Sequence, residues 1–393
     1  MKFSRHALLF GLGLACGAAG QAAPSLLNDT GVGFGADAIK GNNTTCSGTE
    51  VAQQDCASGR DAALAQNGKL TKVGAGAAGF DFTRICNSGE PAGSGTCPAA
   101  PALGPAAGDW ACTRDNVSGL VWELKTADAG PRQRDRTYTQ FSAAYNPNKT
   151  LGSAGDAAGY IAAVNAQRLC GANDWRLPTR LELLNIVHFG AATTQPALDS
   201  AFFPNSPSQL NKAVFWAAGT AASGAANAWG VDFSDGSAGD DNRSVYYALR
   251  LVRGASAAVP ERQIAADGHE VADANTGLVW RRCAEGMAWN GSTCAGTPSS
   301  LTWAEALQCG KAAGGGWRVP NIKELASLVD ERRADPAIDM PQFPATPATW
   351  FWTATPDAGD PATTWTVHFG TGHSGHHGFR QDRHALRLVR SGP

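Results

Sequence analysis

The chain has 393 residues, of which 43% are hydrophobic and 17% are charged, a length sufficient for two domains that each bury a core. It carries 32 basic and 34 acidic residues. This balance lacks the basic excess of proteins that grip nucleic acid through phosphate contacts, so we expect no nucleic-acid partner. The composition also excludes a low-complexity, disordered chain.

Residues 1–22 are typical of a secretory signal peptide. Lys2 and Arg5 form a positive n-region, an apolar stretch follows at 7–15, and small residues precede an expected cleavage site near Ala22. The stretch is too short to span a bilayer, and we expect no transmembrane segment. A lipid anchor at Cys16 is the alternative, but no Leu stands three residues before it, as a lipobox requires. We therefore predict export to the periplasm, cell surface or extracellular space.

Residues 23–109 are rich in Gly, Ala and Cys and show little amphipathic periodicity, which predicts a loop-rich N-terminal region stapled by disulfides. Three cysteine pairs have short, similar spacings, and a fourth pairing leaves Cys309 single. The predicted pairs are Cys46–Cys56, Cys86–Cys97, Cys112–Cys170 and Cys283–Cys294. Spacing does not prove this connectivity, because Cys170 and Cys309 hold equivalent places in the repeat described next.

Two copies of one pattern cover most of the remaining chain. The matching segments are 119–122 with 277–280, 175–179 with 317–321, 196–199 with 336–339, and 248–253 with 385–390. The matches keep the same order in both copies. They therefore predict two domains of one fold, at 110–253 and 273–391, joined by a linker at 254–272.

Each copy gives helix signals first and strand signals later. In copy one, apolar spacing predicts a helix over 156–169, and the capping box Thr179-x-x-Glu182 predicts a second helix through Val187. Alternating residues at 229–233 and the closing segment 247–253 predict strands. The capping boxes of copy two are Thr302-x-x-Glu305 and Asn321-x-x-Glu324. This arrangement predicts an α+β class for both domains.

The motifs in combination resemble a known family. Copy one contains Gly-Leu-Val-Trp122, Trp175-Arg-Leu-Pro, Phe215-Trp216 and the closing Arg-Leu-Val-Arg253, and copy two repeats the series. Together they resemble the C-terminal domain of the Legionella collagen-like (Lcl) adhesin family. The resemblance implies a secreted surface module that binds sulfated glycosaminoglycans, with a C-type-lectin-like or formylglycine-enzyme-like layout. It implies no catalytic residues, and the chain lacks a collagen-like tract.

Two clusters of basic residues could serve a sulfated ligand, although neither copy has a basic excess. The first cluster is Arg132, Arg134 and Arg136. The second is Arg380 and Arg383, close to Arg387. We favour solvated surface charges over a sulfate site for both clusters.

The last hairpin of each copy, at 234–243 and 370–384, is the predicted ligand-reading tip. Paired acids in copy one align with paired histidines in copy two, and a loop that changes in this way suits variable recognition. The candidate ligand-binding residues are Asp235, Asp240, Asp241, Asn242, His373, His376, His377, Arg380 and Arg383. The acidic loop could bind Ca²⁺ and the histidine loop Zn²⁺ or Ni²⁺, but we favour ordinary polar turns for both loops and expect no resident cofactor.

The tryptophans divide into two sets. Those that recur in both copies are expected in the core, and those without counterparts are better candidates for exposure. The recurring ones of copy one are Trp122, Trp175, Trp216 and Trp229. The ones without counterparts are Trp110, Trp289, Trp303 and Trp350.

No hydrolase elbow, zinc-protease motif or P-loop occurs, and a nucleophilic Cys309 lacks a recognisable base, so we predict that the protein is not an enzyme. The leading hypothesis is an exported, non-catalytic binding protein that recognises a glycan or another cell-surface ligand. The alternative is a structural or assembly module of the cell envelope that binds another protein. A sugar site needs exposed aromatic residues near polar loops, whereas assembly needs a broad apolar patch.

Overall fold

The computed structural model describes residues 27–39, 41–46, 52–58, 80–141, 152–191, 196–207, 212–255 and 262–392. The predicted signal peptide, with Cys16, lies outside these ranges. Within them the chain is mostly sheet with few helices, a mixed α and β structure, and no helix there is long and apolar enough to cross a membrane.

Repeat one, residues 80–255, follows a short helix near the N-terminus. The helices to this point are α1 Asp55–Ser58, α2 Ala157–Ala166 and α3 Arg180–Ile186. The strands are β1 Phe82–Cys86, β2 Trp110–Asp115, β3 Val121–Glu123, β4 Val214–Trp216, β5 Asn227–Asp232, β6 Ala238–Asn242 and β7 Val252–Arg253.

Repeat two, residues 262–392, has the same order of elements with one added hairpin, β11–β12. Its helices are α4 Trp303–Ala313 and α5 Ile322–Ala326. Its strands are β8 Arg262–Ile264, β9 Glu270–Asp273, β10 Leu278–Arg281, β11 Met287–Trp289, β12 Cys294–Gly296, β13 Trp350–Pro356, β14 Thr363–His368, β15 Ser374–Phe379 and β16 Val389–Ser391.

The predicted capping boxes start three of the helices. At α3 the Glu182 N–H donates to the Thr179 hydroxyl at 3.1 Å, and the Thr179 N–H donates to the Glu182 carboxylate at 2.8 Å. The α2 helix ends at Ala166, before the predicted end at residue 169. The reason is local, because Arg168 adopts a left-handed φ of 51° that breaks the helix.

The closing segment 247–253 is a strand only at its end, contrary to the prediction. Ala248 bridges Phe215 of β4, whereas Val252 pairs with Trp122 of β3. The segment therefore leaves one sheet and joins another, which prevents a continuous ladder.

The four-stranded sheet of each repeat includes one strand that lies entirely outside the predicted domain bounds. The four-stranded sheet of repeat one has the order β1-β2-β3-β7, and that of repeat two has the order β16-β10-β9-β8. β1 comes from the predicted N-terminal region, and β8 comes from the predicted linker at 254–272. The sequence missed β8 because its residues are largely exposed and lack an apolar alternation.

The two repeats join edge to edge. A six-stranded sheet has the order β13-β14-β15-β6-β5-β4, and β6 of repeat one pairs antiparallel with β15 of repeat two, with Ala238 opposite Ser374. One hydrophobic cluster includes Trp229 and Phe189 from repeat one and Trp365 from repeat two. The repeats therefore share a core in an arrangement that resembles an isologous dimer.

The described residues between 27 and 58 pack across both repeats. The Asn28 side chain donates to the Asp115 carboxylate of repeat one at 2.7 Å. The Thr355 hydroxyl of repeat two donates to the Asp55 carboxylate, also at 2.7 Å. Burial raises the pKa of Asp55 to about 7. This segment therefore ties the two repeats together through buried polar contacts.

The four predicted disulfides are confirmed, and among the described cysteines only Cys309 is unpaired. Cys170 lies in a 3₁₀ turn, whereas Cys309 lies within α4, so the two do not hold the equivalent places that the sequence suggested. Structural disulfides of this number indicate a compartment outside the cytoplasm.

Candidate functional site

The repeated Trp-Arg-(Leu/Val)-Pro motif is a structural device. Arg318 follows the Trp of copy two and forms a two-pronged ion pair with Glu324 at 2.7 and 2.6 Å. The equivalent pair of repeat one, Arg176 with Glu182, has both distances at 2.8 Å. Because each Glu is also the capping-box residue, the motif holds the start of a helix and is not free for a ligand.

The first Arg of each closing motif is also structural. Arg250 is fully buried and donates to the Glu123 carbonyl at 2.9 Å and the Ser206 hydroxyl at 2.7 Å. Its counterpart Arg387 is equally buried and donates to the Arg281 carbonyl and the Thr346 hydroxyl, both at 2.7 Å. The motifs shared by the two copies therefore build the frame.

The predicted ligand-reading hairpins are not exposed tips. Their central residues form β6 and β15, the two strands that join the repeats in the six-stranded sheet. The error has a physical reason. The polar residues that suggested a solvated turn pair with residues of the opposite repeat, which the sequence of one hairpin does not reveal.

Histidines of repeat two face carboxylates of repeat one across this junction. His373 Nε2 lies 2.6 Å from Asp240 Oδ1. The ring nitrogens of His376 lie 3.4 Å from Asp235 Oδ2 of repeat one and 3.2 Å from Asp357 Oδ2 of its own repeat. Hydrogen bonds to these two carboxylates raise the pKa of His376 to about 10, so the ring is charged at neutral pH. The junction is thus held by the ion pair of His376 with Asp235 and by the contact of His373 with Asp240, as well as by the backbone ladder.

The remaining predicted hairpin residues lie apart from these ion pairs. The Asp241 carboxylate accepts a hydrogen bond from the Tyr247 hydroxyl, and the Asn242 side chain accepts one from Ser244. His377 is exposed, with its ring 5.8 Å from that of Trp350. Asp240 and Asp241 help to line a cavity of about 190 Å³, which is smaller than ordinary ligand cavities of roughly 300 Å³ or more.

The proposed metal ligands point to different partners. His373, His376 and His377 contact Asp240, the Asp235–Asp357 pair and Trp350, respectively. In the part of the chain that the structure describes, no group of three or more His, Cys, Asp or Glu side chains is placed to hold a metal ion.

Arg380 and Arg383 do not form one surface cluster. Arg380 is only 1% exposed, and its guanidinium donates to the carbonyls of Asp37 and Gly41 at 3.1 and 2.8 Å. Arg383 is exposed and pairs with Glu305 at 3.0 Å. Because Arg380 anchors the N-terminal segment, its prediction as a surface or ligand-binding residue is wrong.

Sequence reasoning also misplaced several tryptophans. Trp110 and Trp303, which were expected to be exposed, are buried, whereas Trp289 and Trp350 are half-buried. Trp317, the repeat-two counterpart of Trp175, was expected in the core but is half-buried. Two half-buried tryptophans, Trp289 and Trp317, therefore lie in repeat two at positions that the hairpin hypothesis ignored.

These two tryptophans line a cavity of about 300 Å³ in repeat two. Its wall includes the disulfide-linked hairpin β11–β12 and the ends of β9 and β10. The lining residues are His269, Glu270, Arg281, Cys283, Glu285, Met287, Ala288, Trp289 and Trp317. The volume is in the range of small-molecule sites, and the lining mixes aromatic with polar groups.

The Arg and Glu side chains that line this cavity are already neutralised in pairs. Arg281 pairs with Glu285 at 3.1 Å, and Arg390 pairs with Glu270 at 2.7 Å. Both guanidinium groups lie 5.2 Å from the ring centroid of Trp317. The site therefore presents fixed donors, fixed acceptors and an aromatic surface without a net excess of positive charge.

Cys309 lies behind this cavity. Its thiol is 3.7 Å from Glu285 Oε2, and burial, followed by the Glu285 charge, raises the pKa of Cys309. A raised pKa keeps the sulfur protonated at neutral pH, which is the opposite of an activated nucleophile. The thiol therefore supports the position of Glu285.

The protein is thus a disulfide-linked pair of tandem repeats that share one hydrophobic core. Each repeat is held together by a buried arginine, Arg250 in repeat one and Arg387 in repeat two. The family model of the Lcl C-terminal domain matches residues 111–253 and 269–390, about two-thirds of the chain. The chain therefore belongs to the Lcl C-terminal domain family. No curated protein matches the chain significantly.

Proposed function

We propose that the protein is an exported, non-catalytic binding protein that recognises a glycan through the cavity of repeat two. The main support for this proposal is that Trp289 and Trp317 line the cavity beside guanidinium and carboxylate groups that pair with one another. Sugar rings stack on aromatic faces, and their hydroxyl groups form hydrogen bonds with both donors and acceptors. The site supports this recognition with groups that are fixed before the ligand arrives.

The pairing of the charges favours a neutral glycan over a sulfated one. A sulfate-binding site needs positive charge that is not already compensated, and Arg281 and Arg390 are both bonded to carboxylates. This proposal departs from the sulfated ligand that the family resemblance implies. A C-type-lectin-like or formylglycine-enzyme-like layout, and delivery to the periplasm, cell surface or extracellular space by a signal peptide, are parts of the same proposal.

A glycan array that covers neutral and sulfated sugars tests the proposal on the purified chain. We expect saturable binding of neutral oligosaccharides that persists at raised salt and with chelator. By calorimetry, Trp289→Ala should weaken that binding about tenfold or more, because it removes the stacking surface. Trp350→Ala is the matched control, since Trp350 is equally half-buried but lies outside the cavity, and it should leave the affinity unchanged.

Two other outcomes would count against this proposal. Salt-sensitive binding to sulfated chains alone would move recognition to exposed arginines such as Arg134 and Arg136. A blank array would favour the assembly module, and the next experiment would then be capture of envelope proteins on the immobilised chain.

A further inference from the structure

Repeat one contains its own cavity, of about 320 Å³, at the corresponding place in the fold. Ala111 and Lys125, which line it, occupy the repeat positions of His269 and Cys283, which line the cavity of repeat two. Both cavities therefore lie beside the segment that follows the Gly-Leu-Val-Trp strand. The two repeats thus offer two separate cavities in one chain.

Each cavity is lined by a tryptophan, but the two tryptophans come from different strands, Trp110 from β2 and Trp289 from β11. Trp110 of β2 corresponds in the repeat alignment to Gly268, and a Cβ atom at Gly268 would lie only 2.4 Å from Nε1 of Trp289. The indole of Trp289 therefore fills the space beside the residue that replaces Trp110. An arginine covers each indole, with Arg84 at 4.3 Å from the Trp110 ring and Arg282 at 3.8 Å from the Trp289 ring.

The cavity of repeat one has a more apolar wall. Leu103 and Pro105 from the loop after β1, together with Trp110 and Leu124, face it, and Leu103 is 46% exposed at the mouth. Asn205 also lines the cavity, with a left-handed φ of 56° that Asn tolerates. An apolar body of a ligand would be desolvated against this wall.

One cation of the cavity, Arg132, has no carboxylate within ion-pair distance among the described residues. Lys125 is buried and bonded to Glu123 at 3.0 Å, so its charge is neutralised. Arg132 donates one hydrogen bond, to the Leu124 carbonyl at 3.1 Å, and forms no ion pair with any residue that the structure describes. Asp128 is exposed at the rim, where its carboxylate accepts hydrogen bonds from its own turn, at Thr126 and Gly130. These bonds, with a smaller contribution from the charge of Arg132, lower the pKa of Asp128, so Arg132 remains the cation that is free to form a direct bond to a ligand.

We propose that the cavity of repeat one binds a small organic carboxylate, with its apolar body against Leu103 and Trp110 and its carboxylate on Arg132. A guanidinium offers parallel N–H groups that match the two oxygens of a carboxylate, and such charge-assisted bonds are strong where water is partly excluded. This site differs from the glycan site of repeat two in position and in ligand chemistry. Its success or failure does not depend on that site.

Ligand-detected NMR titration with phenylacetate tests the proposal on the full chain, with phenylacetamide as the uncharged isostere. We expect saturable binding of phenylacetate with a Kd on the order of 1 mM, as befits so small a molecule. Phenylacetamide should bind at least about tenfold more weakly than phenylacetate, because it lacks the charge that Arg132 recognises. Equal binding of the two compounds, or no saturation by phenylacetate, would overturn the proposal.

Variants locate the binding. Arg132→Gln should weaken phenylacetate binding about tenfold or more, whereas Arg134→Gln, in the same loop and paired with Asp135, should not change it. Leu103→Glu places a negative charge at the exposed mouth and should also abolish binding without disturbing the core. Trp289→Ala should have no effect, which separates this site from the glycan site. Unchanged binding by Arg132→Gln would place the carboxylate elsewhere and refute the assignment.

Discussion

The two repeats share a frame and differ in the insert that covers it. In repeat one, residues 87–109 separate β1 from β2 and carry the Cys86–Cys97 disulfide. In repeat two, only residues 265–269 separate β8 from β9, and the hairpin β11–β12 with the Cys283–Cys294 disulfide follows β10 instead. Both disulfides link cysteines 11 positions apart.

Each insert builds a wall of the cavity in its own repeat. Leu103 and Pro105 come from the insert of repeat one, and Met287 and Trp289 come from that of repeat two. The frame residues, by contrast, make the same bonds in both copies. The difference teaches that the shared motifs secure the fold, while the stapled inserts determine what each repeat can bind.

The largest effect on stability should come from the ion pair between Arg318 and Glu324 at the N-terminus of α5. Arg318→Met leaves the Glu324 carboxylate buried without its partner, at an expected cost of about 3–5 kcal/mol in the free energy of unfolding. Arg176→Met should cost about 1–2 kcal/mol, since the Arg176 side chain is 29% exposed and water can replace it. Urea unfolding measures both variants. Equal costs would show that the two copies do not depend on burial in the way we describe.

Removal of each insert disulfide should have the next largest effect. Replacing Cys283 and Cys294 with Ala, or Cys86 and Cys97 with Ala, should lower the free energy of unfolding by about 2–3 kcal/mol, the value expected for loops of this length. Each double variant should weaken binding in its own cavity only. Loss of both binding activities in one variant would contradict the independence of the inserts.

The ion pairs of His376, with Asp235 across the junction and with Asp357 in its own repeat, should give a smaller, pH-dependent effect. The pKa of His376 rises from 6.5 to about 10 on folding, so the stabilisation is fully present below pH 6.5 and is lost as the pH rises through 10. Because the ring is partly solvated, we expect a loss of only about 1–2 kcal/mol. His376→Gln should remove this loss.

Chemical unfolding at pH 6, 8 and 10.5 measures the difference between the wild type and His376→Gln. The subtraction cancels other groups that titrate in this range. Parallel stability curves for the two proteins would rule out a contribution of the Asp235 and Asp357 carboxylates to the junction.

The smallest effect is expected at Arg383. Its ion pair with Glu305 is solvated on both sides, so Arg383→Gln should leave the free energy of unfolding unchanged within the error of the measurement. Arg380→Gln, only three residues away, should cost about 2 kcal/mol or more, because it removes the hydrogen bonds of a buried guanidinium to the N-terminal segment. Thermal unfolding compares the two variants, and similar melting temperatures would show that Arg380 is not the anchor we describe.

Local signals in the sequence predicted much of the fold. The capping boxes at Thr179, Thr302 and Asn321 are confirmed because a cap depends on residues three positions apart. The disulfides within the inserts followed from short spacings in the same way. The strand β8 was missed because its pairing depends on β9 rather than on its own pattern.

The candidate site was less predictable. In the sequence, histidines and acidic residues in Gly-rich hairpins are typical of a solvated turn. In the structure, His373 contacts Asp240, which lies 133 positions away in the other repeat. Trp289 carried a weak signal, since it has no counterpart in repeat one and lies within the loop that the Cys283–Cys294 disulfide closes. The cavity that it shares with Trp317 depends on the hairpin folding back over the sheet.

The sequence by itself determined the duplication, the helix starts and the disulfide framework, because each of these depends on residues close together in the chain or on a repeated order of motifs. The tertiary structure alone decided that β6 and β15 join the repeats, that Arg380 is buried while Arg383 is not, and where the two cavities lie. The physical reason is that burial and charge pairing arise from contacts between distant segments, and a polar side chain has the same identity whether it meets water or a partner.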